Sequence, residues 1–380
     1  MRLKSLEYSE KVGEPEEWTL TGLSLSEINL LVGKNASGKS RILNIIHALA
    51  QAISEQRRLD SGKYKVIFGN DSSTLEYVLE FQESRVIQEV FTVNDKTKLE
   101  RSSGGAGKIF AVKLNTDIDF QTPDDQLAVA VRRDSIQHPY FEPLHQWAKS
   151  LYYYPFSTTL GKERFAIFIK GDQKSEVNPK DPSQVIAIYD KGKRDFGDRF
   201  TEAVKTDFES IGYPINEVGI AAPRSIKIQG TLPGEFSGLY VQESDLPGIT
   251  DQHAMSAGMF RALSIIVQVN YSVLLADTPS CILIDDIGEG LDFERSCALI
   301  DVLTSKARNS SVQLLMATND RFVMNRVPLE YWSLVDRKSN RVEIRNYSNS
   351  KDIFDKFKFT GLNNFDFLAF DYLHEDASNE

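Results

Sequence analysis

Ile28-Asn29-Leu30-Leu31-Val32 runs without a break into Gly33-Lys34-Asn35-Ala36-Ser37-Gly38-Lys39-Ser40. The first five residues suit a buried strand. The next eight match GxxxxGK[ST] at every fixed position. After them Ile42, Leu43, Ile45, Ile46, Leu49 and Ile53 recur at helical spacing. Strand, glycine-bearing loop and amphipathic helix in that order make a cradle for phosphate. The glycines let the backbone curl so that its N–H groups face an anion, and the helix N-terminus adds favourable potential. Gly33, Lys34, Asn35, Ala36, Ser37 and Gly38 form the loop. Lys39 is expected to reach the β- and γ-phosphates, and the Ser40 hydroxyl to ligate Mg²⁺.

A second stretch completes that chemistry. Cys281-Ile282-Leu283-Ile284 is an apolar strand that ends in Asp285-Asp286. In a P-loop nucleotidase an acidic residue at this point holds Mg²⁺, and the next one orients the attacking water. Asp285 is therefore expected as the metal ligand and Asp286 as the water-orienting group.

Elsewhere the chain reads as a mixed α/β protein. Short strands are expected over 2–8 and 18–20. From 63 to 114 the period is two, as in Tyr64-Val66-Phe68 and Leu75-Tyr77-Leu79-Phe81, which reads as an antiparallel meander. A helix is expected from His138, on Phe141, Leu144, Trp147 and Leu151. Strand-like runs cover 165–169 and 185–189, and an amphipathic helix 196–211. A Gly/Pro-rich passage, 220–248, leads into a buried helix over 255–276. The helix 293–308, the strand 312–318 and a hairpin over 331–347 follow, then an aromatic-rich packed segment from 351 with a polar end. No heptad repeat encodes a coiled-coil arm.

With 380 residues the chain can bury a large core, and 26% charged against 41% hydrophobic residues excludes wholesale disorder. The net charge of −10 argues against a surface that binds nucleic acid throughout. Cys281 and Cys297 are the only cysteines, so neither a disulfide framework nor a zinc cluster is encoded, and a reducing, cytoplasmic setting is expected. No apolar run reaches the ~20 residues of a membrane span. The basic clusters Arg132-Arg133, Lys191 with Lys193-Arg194, and Arg337-Lys338 read as solvated surface, with contact to DNA a lesser possibility. Tyr152-Tyr153-Tyr154 reads as packing.

The order of motifs resembles ABC-type ATPases. Ser256-Ala257-Gly258-Met259-Phe260-Arg261 is similar to the SxGxxR signature of SMC and DNA-repair heads. The string from Asp285 to Asp292, DDIGEGLD, resembles their Walker B and D-loop, with Asp292 on the D-loop aspartate. Asn319 stands where the family has its switch histidine. The resemblance is to stand-alone, SMC-like ATPases of the OLD and RecF type without a nuclease domain, found in bacterial anti-phage operons. It implies a P-loop NTPase fold of the ABC/SMC head type, with an antiparallel β subdomain and a mixed lobe inserted between Walker A and the signature. On that reading the core comes from 1–60 and 250–350, the β subdomain from 61–124, the lobe from 125–249, and 351–380 packs at the end.

The resemblance further implies ATP and Mg²⁺ as cofactors. It implies a head-to-tail homodimer in which Ser256, Gly258, Arg261 and Asp292 act on the partner's nucleotide. Gln137 is the candidate for the family's Q-loop glutamine, with Gln82 and Gln126 as rivals. Asp286 replaces the family's glutamate and is one methylene shorter. Asn319 cannot carry the positive charge of a histidine. Both substitutions imply slow hydrolysis, suited to a regulator of a separately encoded protein effector in phage defence. A RecF-like clamp on DNA and a nucleotide-binding scaffold with negligible turnover are the alternatives.

Overall fold

The computed structural model describes residues 1–70, 72–168, 177–226, 234–275, 280–370 and 372. The chain divides into two compact units. The first takes Met1–Leu151, Gln313–Asn319 and Val327–Glu380; the second takes Tyr152–Val312 and Asp320–Arg326.

The first unit is built on one long sheet. Its strands run in the order Gln313–Ala317, Ile28–Val32, Trp332–Lys338, Arg341–Asn346, Trp18–Ser24, Arg2–Glu10, then Gly62–Gly69, Thr74–Gln82, Arg85–Val93, Lys96–Ser102, Ala106–Ala111 and Thr116–Gln121. Ile28–Val32 is buried along its whole length and lies parallel to both neighbours. Double-sided burial is why its sequence is a continuous apolar run. From Gly62 to Gln121 each strand pairs antiparallel with the next, as the period-two pattern predicts. The helix Lys39–Glu55 buries all six of the apolar residues picked out by spacing.

A fully buried ion pair holds the meander to the segment that follows it. Arg101 Nε donates to Glu89 Oε2 at 2.7 Å, and both side chains are inaccessible. Tyr77 donates to the other carboxylate oxygen at 3.0 Å, and the N–H groups of Ala128 and Val129 donate to the same carboxylate. The Arg101 guanidinium also reaches the carbonyls of Thr122, Pro123 and Gln126. Residues 125–151 therefore belong with the meander, and the second unit starts at Tyr152 rather than 125.

In that second unit, Leu151–Pro155 neighbours Cys281–Asp285. Ala257–Leu275 is a helix buried over most of its length; it is long and apolar enough to cross a membrane by composition, with 72% of it covered by protein. A small antiparallel sheet joins Ala166–Phe168, Glu235–Glu243 and Ile215–Ala221.

Four local expectations change. Residues 185–189 are not a strand but the start of the helix Val185–Phe196. The run Val-Ile-Ala-Ile-Tyr is apolar throughout, so periodicity could not choose; the buried set Val185, Ile186, Ile188, Tyr189 and Gly192 is helical. Asp181 starts the segment by accepting from Ser183 N at 2.9 Å. The expected helix 196–211 is Asp198–Ser210, separated from the preceding one by Gly197 at φ 58°. The passage 220–248 contains the strand Glu235–Glu243. The helix expected from His138 is a short turn, Pro139–Phe141, followed by Glu142–Lys149, and Leu151 already opens a strand. In the last segment Phe354, Phe357 and Phe367 are buried together; the polar end 375–380 lies outside the described residues.

The buried pair makes a stability prediction. Glu89→Ala strands the Arg101 guanidinium without its counter-charge and should cost about 3–5 kcal/mol, measured by urea unfolding.

Candidate nucleotide-binding site

The phosphate loop begins where the strand Ile28–Val32 ends. A Cβ on Gly33 would lie 2.8 Å from Ser37 Oγ and 2.9 Å from the Val335 carbonyl, so only glycine fits there. The loop then turns through left-handed backbone at Ala36 (φ 60°) and Gly38 (φ 111°). Ser37 N donates to Lys34 O at 3.2 Å, and Arg337 Nη1 donates to Ala36 O at 2.8 Å from outside. Arg337 is exposed, as expected of it, and also binds the loop.

Lys39 is buried, and its ammonium donates to the carbonyls of Gly33 (2.9 Å) and Lys34 (3.2 Å). The helix it opens has no side-chain cap at Gly38 and no acidic residue in its first turn. Ser37 Oγ is buried without a hydrogen-bond partner. Uncapped helix amides, an orphaned hydroxyl and a buried cation together fit a phosphate group. Ser40 is half-buried in the first turn of the same helix.

Asn319 belongs to the same end of the first unit. Ala317 pairs in register with Leu31, which sets Asn319 level with Gly33. Thr318 is buried and donates to Leu31 O at 3.3 Å, while Asn319 is exposed. Gln137 is not brought there. Its Oε1 accepts from Lys113 N at 3.3 Å, beyond the strand Ala106–Ala111 at the far end of the sheet. Gln82 ends a meander strand opposite Arg85, and the Gln126 carbonyl accepts from Arg101. These three glutamines are parts of the meander.

The acidic cluster lies in the second unit. Asp285 is buried at the end of a strand that is buried throughout. Phe156 N donates to Asp285 O at 2.9 Å, so the neighbouring strand ends at the same level. Tyr153 reaches Asp285 directly, its hydroxyl donating to Oδ2 at 3.4 Å. Burial, with the Asp285 charge adding to it, holds that phenol well above its ordinary range. Asp286 is half-buried with φ 52°, a left-handed conformation rare for a non-glycine residue and concentrated at functional sites. Glu289 is exposed.

The signature residues are tied to the D-loop of their own chain. Ser256 caps the helix Ala257–Leu275, its Oγ accepting from Met259 N at 3.1 Å, and remains exposed. A Cβ on Gly258 would stand 2.6 Å from Gly290 O. Arg261 Nη1 donates to Glu289 O at 2.9 Å. Asp292 caps the helix Phe293–Arg308 by accepting from Arg295 N at 3.0 Å. That bond and the adjacent Arg295 guanidinium hold its carboxyl below the usual range. Sequence reading missed two things here: the contact of Tyr153 with Asp285, and the cis packing of Gly258 and Arg261. The aromatic run in Leu151–Pro155 could have flagged the strand, but not its neighbour.

Over residues 28–325 the sequence matches the protein family described as "AAA domain, putative AbiEii toxin, Type IV TA system". The chain belongs to that family. No curated protein sequence matches it. Among solved structures, an SMC head bound to the C-terminal winged-helix domain of ScpA is similar at 12% identity with a TM-score of 0.50, covering 91% of this chain and 97% of that one. An SMC head from Pyrococcus furiosus with an extended coiled coil, bound to the C-terminal domain of ScpA, gives 11% identity and 0.49 over 94% and 99%. The SMC head domain from Thermotoga maritima gives 16% identity and 0.44 over 91% and 99%. The fold of this AAA-family chain is the SMC-type P-loop ATPase head, as the motif order implied.

Lys39→Ala removes the cation from the loop and should abolish ATP binding in a fluorescent-nucleotide titration. Unchanged affinity would remove the loop from the site.

Proposed function

We propose that the protein binds and slowly hydrolyses ATP, closes into a head-to-tail homodimer around it, and controls a separately encoded effector. The observation that carries the reading is the loop: a buried Lys39 and an unpartnered Ser37 hydroxyl under an uncapped helix N-terminus. In this reading Lys39 exchanges its carbonyl partners for the β- and γ-phosphate oxygens. Ser40 and Asp285 hold Mg²⁺, which supplies charge neutralisation on those oxygens when bound. Asp286 orients the attacking water. Asn319 donates to the γ-phosphate without adding positive charge. A shorter acid and a neutral switch residue both lower the rate.

The signature acts in trans. Ser256 Oγ accepts from its own helix, which leaves the hydroxyl hydrogen to donate to a partner's γ-phosphate. Because Gly258 and Arg261 grip Gly290 and Glu289, closure would carry Asp292 along with Ser256. Slow hydrolysis then lets the closed state persist as a signal, and an effector need only bind the two states with different affinity. The family description names a toxin and a type IV TA system, and one similar SMC head is bound to a ScpA domain; both settings suit a protein partner. Anti-phage defence in the cytoplasm is the proposed context. The DNA-clamp reading gains no support from the basic clusters, which are engaged locally: Arg133 with Glu142, Arg194 with Asp190, Arg337 with Ala36 O.

Asp286→Asn should keep Mg-ATP bound, lose phosphate release and elute as a persistent dimer on size exclusion with ATP. Asp286→Glu should raise turnover. Normal hydrolysis by Asp286→Asn would place the water-orienting group elsewhere.

A further inference from the structure

A metal-binding carboxylate needs its plane fixed, because a freely turning carboxylate must be ordered each time the ion binds. The strand Leu151–Pro155 and the residue that follows it, Phe156, both bond to Asp285. Phe156 N holds its backbone carbonyl at 2.9 Å, and the Tyr153 hydroxyl holds Oδ2 at 3.4 Å. Asp285 is buried, and the Tyr153 phenol lies close enough to feel the charges of both Asp285 and Asp286. In the loop that follows the strand, Thr158 Oγ1 donates back to Pro155 O at 2.8 Å.

We infer that Tyr153 is a positioning residue for the metal: its hydroxyl fixes the Asp285 carboxylate in the orientation that receives Mg²⁺. This rests on the reading of Asp285 as the metal ligand. The phenol acts through Asp285 and makes no bond to nucleotide.

The test uses the full-length protein and a fluorescent ATP analogue, titrated with Mg²⁺ and separately in EDTA. Tyr153→Phe keeps the ring and removes the donor. It should raise the half-saturating Mg²⁺ concentration about tenfold, the lower end of what such outer-shell changes cost. Its affinity for the analogue in EDTA should stay at the wild-type value, and at saturating Mg²⁺ its KM should be unchanged. Tyr153→Gln restores a donor and should recover most of the Mg²⁺ response, with circular dichroism and thermal melting confirming that both variants fold. A wild-type Mg²⁺ dependence in Tyr153→Phe overturns the inference while leaving the ATPase reading intact. Equal losses in folded Phe and Gln variants overturn it too, because ring packing would then be what matters. A wild-type protein that binds the analogue without any response to Mg²⁺ overturns both.

Discussion

The buried ammonium of Lys39 is the constraint on which the rest turns. A cation in the protein interior is costly unless dipoles or counter-charge surround it. Here the carbonyls of Gly33 and Lys34 take that part, and they can do so only because the loop curls back on itself. The curl requires a residue without Cβ at Gly33, left-handed backbone at Ala36 and Gly38, and a strand stiff enough to deliver the loop. Ile28–Val32 is that strand, buried on both faces between two parallel neighbours. Arg337 then holds the loop from outside through Ala36 O. Together these features hold a buried cation at an uncapped helix N-terminus.

The second unit shows the same economy of parts. The residues that the resemblance assigns to a partner's nucleotide already have work within their own chain. Ser256 caps a helix, Gly258 admits Gly290 O, and Arg261 holds Glu289 O. This does not compete with the proposed role across an interface; it would make that role rigid. A signature that is packed on the D-loop presents both to a partner as one surface. It also means that bulk at Gly258 damages the D-loop of the same chain, so a substitution there cannot isolate the action in trans.

Much of this was legible in the residues. The strand, loop and helix around Gly33 to Ser40 carry an unambiguous sequence of patterns, and so do the meander and the helix Phe293–Arg308. Local signals failed where they were symmetric. Val185 to Tyr189 is apolar at every position, which fits a strand or a buried helix equally. Glutamines offered no means of choosing among themselves, and Gln137 serves a meander turn instead. The contact between Tyr153 and Asp285 joins residues 132 positions apart, a pairing set by which strands are neighbours. The Glu89–Arg101 pair was equally invisible, because two charged residues on facing strands read as surface until the cover of Ala128 and Val129 is known.

The central claim is that two copies complete each other's sites, and a mixing experiment meets it directly. Lys39→Ala destroys the loop and leaves the signature. Ser256→Arg blocks the signature at an exposed position and leaves the loop and D-loop packing. Each protein alone should lack ATPase activity. Mixed together they should regain part of it, since each heterodimer holds one intact loop facing one intact signature. Absence of any recovery, with heterodimers demonstrated by mass measurement, would contradict the account.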